Sequence, residues 1–340
     1  MSSSKDPLRL IFFADTHLGF DYPMHPRIKI RRRGPDFFKN YYQILDYARA
    51  NKPDLVIHGG DVFFRSRVPG KIVDMAYQAL ADLADCGIPV FIVPGNHERS
   101  RLPVSIFLSH PGIKVFSSPK TFLHETTQYE VAISGFPSVR DNIRDNFNTV
   151  IRQTGYADHK SKIKLLCMHQ TVEGAVVGPI SYTFRSGKDV ININDIPAGI
   201  TAVLSGHIHR RQILKTADNI PVIYPGSTER TSFAERDETK GFYDISIYAE
   251  DKNNQFVKTD FIKLNARPMT DIVIDDSITE IELEGYLEAK FLSLHPESIV
   301  RIRTSSDVTA GIKSRLTSRF LRNIAPDHIN IQLSPFSGSY

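Results

Sequence analysis

The sequence contains few cysteines and no long hydrophobic run. Its only two cysteines, Cys86 and Cys167, lie in apolar surroundings. Neither their number nor their spacing suits a Cys-based zinc site. We interpret both as small buried hydrophobic side chains in a reducing compartment.

No segment approaches the ~18 consecutive apolar residues of a membrane span, and residues 1–7 lack the apolar core of a secretory signal. We therefore expect a soluble, cytoplasmic protein that does not enter a membrane. The formal net charge is +4, from 42 Lys and Arg against 38 Asp and Glu. This excess is too small to indicate a polyanionic partner by itself, so the local distribution of charge must decide.

Strand and helix patterns alternate over the first hundred residues. Strands at residues 8–14, 54–58 and 88–93 enclose helices at 36–51 and 70–86, and this βαβαβ order predicts a parallel sheet. From residue 113 onward we expect one helix at 141–153 and a second sheet, with strands at 114–116, 129–134, 162–168, 200–204, 221–224, 242–248 and 256–264. Two facing sheets with helices outside predict a four-layer α/β/β/α sandwich.

The composition changes at residues 265–268, so we predict a large domain at 1–265 and a small α/β domain at 266–340. The pattern of the small domain predicts strands at 271–274, 298–303 and 329–333 and helices at about 281–293 and 311–324. A capping box at Ser277–Glu280 opens its first helix.

Five of the predicted strands end in polar side chains. In open α/β sheets, ligands gather at the carboxyl ends of strands, so these side chains can converge: Asp15, His17, Asp61, Asn96, His97, His169, His207 and His209. A single histidine at a strand end is more often structural, but the repetition favours a metal centre. Carboxylate, amide and imidazole groups without thiolate suit Mn, Fe or Zn, with Mn favoured by the oxygen ligands.

Two local features support this centre. Asp15 and His17 lie two residues apart, so alternation along an extended chain predicts that they point to the same side. Gly59 and Gly60 permit a tight turn that leaves Asp61 at the rim, where two cations could share it.

Glu98 follows His97 directly, and we expect it either to cap the following helix or to orient His97.

The ordered motifs Asp15-x-His17, Gly60-Asp61, Gly95-Asn96-His97-Glu98, His169 and Gly206-His207-x-His209 resemble those of the calcineurin-like metallophosphoesterase superfamily. Within it, the sequence resembles the SbcD-type nucleases of DNA double-strand-break repair through residues 14–19, 206–210, 224–230 and 233–235. The resemblance covers residues 8–264 and extends more loosely, over 270–334, to the small capping domain of that family.

The resemblance implies two divalent cations, with Mn favoured and Fe, Zn or Mg as alternatives. One would be held by Asp15, His17, Asp61 and His209, and the other by Asp61, Asn96, His169 and His207. Asp61 would then bridge two ions roughly 3.5 to 4 Å apart. His97 would be catalytic and would protonate or hydrogen-bond the leaving oxygen.

The predicted function is that of a Mn-dependent DNA nuclease in repair, with double-strand exonuclease and single-strand endonuclease activity. Basic and aromatic residues predict the DNA surface, although a solvated loop or loop anchoring explains them equally well: Arg27, Lys29, Arg31, Arg32, Arg33, Arg65, Arg99 and Tyr182. The alternatives are a phosphodiesterase or phosphatase for small molecules, including cyclic nucleotides, and a non-catalytic scaffold. A complete ligand set disfavours the scaffold.

The resemblance also implies a homodimer and an SbcC-type ABC ATPase as partner. Relatives of this type grip the ATPase through a helical tail, whereas residues 334–340 carry no helical pattern. A second departure is Phe64, which stands where several family members carry histidine, and we predict Arg65 as a substitute phosphate contact.

Overall fold

The computed structural model describes residues 6–21, 33–98, 109–249 and 255–334. The chain divides into two compact units. The first contains Asp36–Ala266 with the amino-terminal strand, and the second contains the residues from Arg267 onward together with a segment that ends at Pro35. The interpretation of the second unit as a capping domain at 266–340 stays a prediction.

The strands and helices through residue 263 are β1 (Leu8–Phe13), α1 (Gly34–Asn51), β2 (Leu55–His58), α2 (Gly70–Asp85), β3 (Val90–Ile92), β4 (Ile113–Val115), β5 (Lys120–Glu125), β6 (Glu130–Gly135), α3 (Ile143–Gln153), β7 (Ile163–His169), β8 (Thr171–Val172), β9 (Val176–Val177), β10 (Tyr182–Thr183), β11 (Val190–Ile191), β12 (Ala202–Gly206), β13 (Gln212–Lys215), β14 (Pro221–Tyr224), β15 (Gly241–Ala249) and β16 (Gln255–Lys263). Short 3-10 helices lie at Ile193–Asp195 and Phe233–Glu235. The strands from β1 to β16 include two six-stranded sheets, in the orders β16-β15-β1-β2-β3-β4 and β13-β14-β12-β7-β6-β5.

The first sheet confirms the predicted parallel arrangement of β1, β2 and β3. The assignment of β4, β15 and β16 to the second sheet is wrong. β4 pairs with β3, and β15 runs antiparallel along the open edge of β1, with Leu10 opposite Ile245. Backbone hydrogen bonds between such distant segments decide sheet membership, and the apolar pattern of a strand does not identify its partner.

The two sheets pack face to face. Leu10 and Phe12 of β1 share one core with Leu165 of β7 and Leu204 of β12. The opposite face of β1 contributes Ile11 and Phe13 to a core with α1 and α2, while α3 packs on the outer face of the second sheet. Both faces of the central strands are therefore buried, which explains their continuous apolar sequences. The predicted four-layer sandwich is confirmed.

The two cysteines differ in exposure. Cys167 on β7 is buried, as predicted, but Cys86 is exposed, so its predicted burial is wrong. Cys86 follows the last turn of α2, beyond Leu83, the last buried residue of that helix. Among the described helices, none has the length and apolar character needed to cross a bilayer.

The second unit contains a parallel sheet in the order β17-β18-β19, with strands and helices β17 (Met269–Ile274), α4 (Leu283–Leu292), β18 (Ile299–Thr304), α5 (Ala310–Arg315), α6 (Ser318–Ile324) and β19 (Asn330–Leu333). The single helix expected at 311–324 is wrong, because Leu316 leaves the helical conformation. Oγ1 of Thr317 then accepts a 3.1 Å hydrogen bond from Phe320 N and starts α6.

The capping box lies at a different pair from the predicted Ser277 and Glu280. Glu282 Oε2 accepts from Thr279 N at 3.1 Å, and Thr279 Oγ1 accepts from Glu282 N at 3.3 Å. Ser277 instead bonds to Asp275. Both pairs match the same sequence rule, and only the Thr279 pair lies beside the first turn of α4.

Candidate metal centre

The polar residues that follow β1, β2, β3, β7 and β12 converge. Three groups have ligand atoms within 4.8 Å of one another: Asp15, His17 and His209; His17, Asp61 and His97; and Asp15, Asp61 and His169. Each group combines residues from different strand ends. The convergence expected at the carboxyl ends of parallel strands is therefore present.

The loops after β1 and β2 are held side by side by backbone hydrogen bonds. Asp15 N donates to Gly60 O at 2.9 Å, and His17 N donates to Asp61 O at 3.0 Å. Asp15, His17 and Asp61 have φ values of 54°, 44° and 52°. Asp15 and His17 do contribute to one group of candidate ligands, as expected. The chain is left-handed at these residues, however, so the extended alternation given as the reason is wrong. Such backbone strain persists where the surrounding structure enforces it, commonly at functional sites.

Asp61 belongs to two of these groups, with His17 and His97 in one and with Asp15 and His169 in the other. His17 Nε2 lies 2.9 Å from His209 Nε2. Asn96 Oδ1 lies 3.0 Å from His169 Nε2 and 2.9 Å from His207 Nδ1. Asp61 Oδ2 is 3.3 Å from His169 Nε2.

The charges of the cluster favour a cation within it. Burial raises the pKa of Asp15 to about 6. Burial also acts to raise the pKa of Asp61, but the charge and hydrogen bond of His169 hold that pKa well below its usual range. Burial opposes the charged form of His169, yet Asp61 raises its pKa to about 9. Positive charge is thus stabilised beside Asp61, where a divalent ion would replace a proton.

The donor set fits two divalent cations. Nε2 of His17 and Nε2 of His209 approach so closely that their lone pairs require a proton or a cation between them. His17 Nδ1 is also buried without a hydrogen-bond partner among the described residues. Carboxylate, amide and imidazole donors without thiolate suit a dinuclear site.

Glycines keep the space around the cluster open. A Cβ atom at Gly95 would overlap Oδ1 and N of Asp61, and one at Gly206 would overlap the backbone oxygen of Gly59. Gly60 has a φ of +106°, and a Cβ there would overlap His169. The close approach of these loops therefore requires residues without side chains.

His97 and Glu98 contact the loop after β2. His97 Nδ1 donates to Phe64 O at 2.6 Å, which leaves Nε2 directed to Asp61 Oδ2, 3.9 Å away. Buried Glu98 accepts 2.7 Å hydrogen bonds from Phe63 N and Gly95 N. The residues that follow Glu98 lie outside the described part of the chain, so its predicted capping role stays a prediction. These two hydrogen bonds do not involve the His97 side chain, and the orienting role also stays a prediction. Glu98 joins the Asp61 and Asn96 loops.

Two further residues of the centre, Glu235 and Lys240, carry no predicted role. Glu235 Oε1 lies 3.1 Å from His209 Nδ1, and buried Lys240 donates to Glu235 Oε2 at 2.5 Å. Hydrogen bonds from His209 and Lys240 hold the pKa of Glu235 well below its usual range, although burial acts to raise it. The sequence pointed to Glu235 only through the family motif at residues 233–235. Its spacing from the predicted metal ligands did not indicate a role.

The residues predicted to bind DNA divide into three groups. Arg65 is exposed, with its guanidinium 5.4 Å from the centre of the Phe64 ring, and Tyr182 is 54% exposed. Arg33 is 3% exposed, so its side chain does not present a cation to solvent. The remaining predicted contacts lie outside the described residues: Arg27, Lys29, Arg31, Arg32 and Arg99. Their DNA-binding roles stay predictions.

The fold and the clustered ligands define a metal-dependent phosphoesterase. Residues 8–211 match the family described as calcineurin-like phosphoesterase. This match covers more than half of the chain, and the chain belongs to that family.

Among curated proteins, the chain is similar to two archaeal relatives that are both named "DNA double-strand break repair protein Mre11". It is 25% identical to that of Methanococcus maripaludis over 69% of this chain and 62% of the relative. It is 26% identical to that of Methanocaldococcus jannaschii over 79% of this chain and 70% of the relative. The chain thus spans less than two thirds of the first relative. Among solved structures, a dimetal phosphatase from Danio rerio aligns with 75% of this chain and 99% of its own, at 13% identity and a TM-score of 0.47.

Proposed function

We propose that this chain hydrolyses phosphodiester bonds of DNA in double-strand-break repair, using two divalent cations. The observation that carries the proposal is that two groups of candidate ligands, one with His17 and one with His169, share the carboxylate of Asp61. We assign one cation to Asp15, His17, Asp61 and His209, and the other to Asp61, Asn96, His169 and His207. Such a pair of cations activates water and neutralises charge on the phosphate oxygens.

In this proposal, His97 acts on the leaving oxygen. Its bond to Phe64 O keeps one proton on Nδ1, so Nε2 is the atom that can hold and transfer a proton. Its side chain is 37% exposed, which leaves it accessible to a substrate. General acid catalysis of this kind contributes roughly 10² to 10⁴-fold to the rate.

The names of the Mre11 relatives support DNA as the substrate. The exposed Arg65 and Tyr182 supply a cation and an aromatic surface of the kind that binds phosphates and bases. The proposal includes Mn²⁺, double-strand exonuclease and single-strand endonuclease activity, a homodimer, an SbcC-type ATPase partner and a cytoplasmic location.

The test compares end-labelled double-stranded DNA with a chromogenic phosphodiester, in Mn²⁺, Mg²⁺ and chelator. We expect Mn²⁺-dependent shortening of the DNA that is lost in His97→Ala. The chromogenic substrate should lose less activity, because its phenolate leaving group needs little protonation. Turnover of that substrate while DNA stays intact in every cation would refute the nuclease proposal and favour a small-substrate phosphodiesterase.

A further inference from the structure

The imidazole of His209 is held from the side opposite the candidate cation. Its Nε2 lies 3.9 Å from Asp15 Oδ1, while its Nδ1 faces Glu235 Oε1 at 3.1 Å. Oε1 of Glu235 also accepts from Thr231 Oγ1 at 2.5 Å. A carboxylate partner requires the ring proton to be on Nδ1, which leaves the lone pair of Nε2 directed into the centre.

Glu235 is itself fixed by Lys240, which is 1% exposed. The ammonium donates to Glu235 Oε2 at 2.5 Å, to Ser227 Oγ at 2.8 Å and to His209 O at 3.0 Å. A fourth partner, Glu238 Oε2, lies 2.9 Å away. One buried ammonium therefore holds the backbone of His209 and the carboxylate that orients its ring.

His169 is held in a different way. Its Nδ1 lies 2.8 Å from Gly59 O, a neutral backbone carbonyl. A carboxylate makes an imidazole a more basic ligand than a carbonyl does. The candidate cation beside His209 would therefore have a ligand held by a carboxylate, whereas the one beside His169 would have a ligand held by a backbone carbonyl.

We infer that Glu235, anchored by Lys240, is a positioning residue that strengthens binding of the cation assigned to His209 and leaves the other cation unaffected. The inference rests on the proposed two-cation function. Loss of an outer partner of this kind typically lowers metal affinity by about 10 to 100-fold.

The test is calorimetric titration of the metal-free full chain with Mn²⁺. We expect two binding events in the wild type and, in Glu235→Gln, an affinity about 10 to 100-fold lower for one of them. Glu235→Ala should weaken the same event further, because the glutamine oxygen can still accept from His209 Nδ1. Glu238→Gln is the matched control, since Glu238 also binds Lys240 but not His209, and both of its events should match the wild type.

In case the single variant does not fold, the double variant Glu235→Gln with Lys240→Met also removes the buried ammonium that has lost one of its two carboxylate partners. It should show the same selective loss. Wild-type affinities for both cations in a folded Glu235 variant would overturn the inference, as would an equal loss in Glu238→Gln. Absence of Mn²⁺ binding by the wild type would instead overturn the two-cation function and the inference with it.

Discussion

Gly95 leaves no space for a side chain beside Asp61. A Cβ atom there would overlap both Oδ1 and the backbone nitrogen of Asp61, and Gly95 N also donates to Glu98 Oε2. We therefore predict that Gly95→Ala displaces the Asp61 carboxylate and weakens Mn²⁺ binding at least 10-fold, as measured by calorimetric titration. Small displacements of this kind are costly because cation ligands must hold their geometry closely.

Gly70→Ala provides the control for this substitution. Gly70 begins α2, and a Cβ atom there would have no neighbour within 4 Å. We expect Gly70→Ala to bind Mn²⁺ as the wild type does. Unchanged binding in Gly95→Ala would mean that Asp61 does not need the position described above.

Individual residues of the centre differ in how well the sequence predicts them. The strand-end motifs predict that Asp61, His169 and His209 come together, because parallel strands end at one edge. They do not predict the left-handed backbone at Asp15. They also assign no role to Glu235, whose partners become visible only when the chain folds residues 227, 231 and 240 around it.

At the scale of elements, two overlapping residue pairs, Ser277 with Glu280 and Thr279 with Glu282, match the capping-box pattern before α4. Thr279 and Glu282 exchange hydrogen bonds at the start of α4, whereas Ser277 bonds to Asp275. We predict that Thr279→Ala lowers the free energy of unfolding of the second unit by about 1 kcal/mol, measured by urea denaturation. Ser277→Ala should change it by less than about 0.5 kcal/mol. Equal effects would show that the Thr279 pair has no special role.

Helix and strand positions were largely predictable, because apolar periodicity is a local property. Sheet membership was not, since β15 pairs with β1 across more than two hundred residues of chain. The break at Leu316 between α5 and α6 is also invisible to periodicity, because the apolar spacing of Ile312, Leu316 and Phe320 continues through it.

At the scale of the first unit, the centre joins segments from five strand ends. Asp15 and His209 are 194 positions apart in the chain, and both belong to one group of candidate ligands. Residues so distant in the chain can bind one cation only after the two sheets have packed. Cation binding is therefore coupled to folding of the unit.

This coupling predicts that Mn²⁺ raises the melting temperature. A ligand that binds only the folded state stabilises it by about 2.7 kcal/mol at 100 times its Kd, or roughly 5 to 10 °C for a unit of this size. In Asp61→Asn, the difference between melting in Mn²⁺ and in chelator should fall below half of that of the wild type, because both cations lose a ligand. Asp260→Asn, the same chemical change at a half-exposed residue of β16 paired with Lys258, should keep the full difference. If Mn²⁺ raised the melting temperature of Asp61→Asn as much as that of the wild type, the stabilising cation would bind elsewhere. Asp61 would then not be one of its ligands.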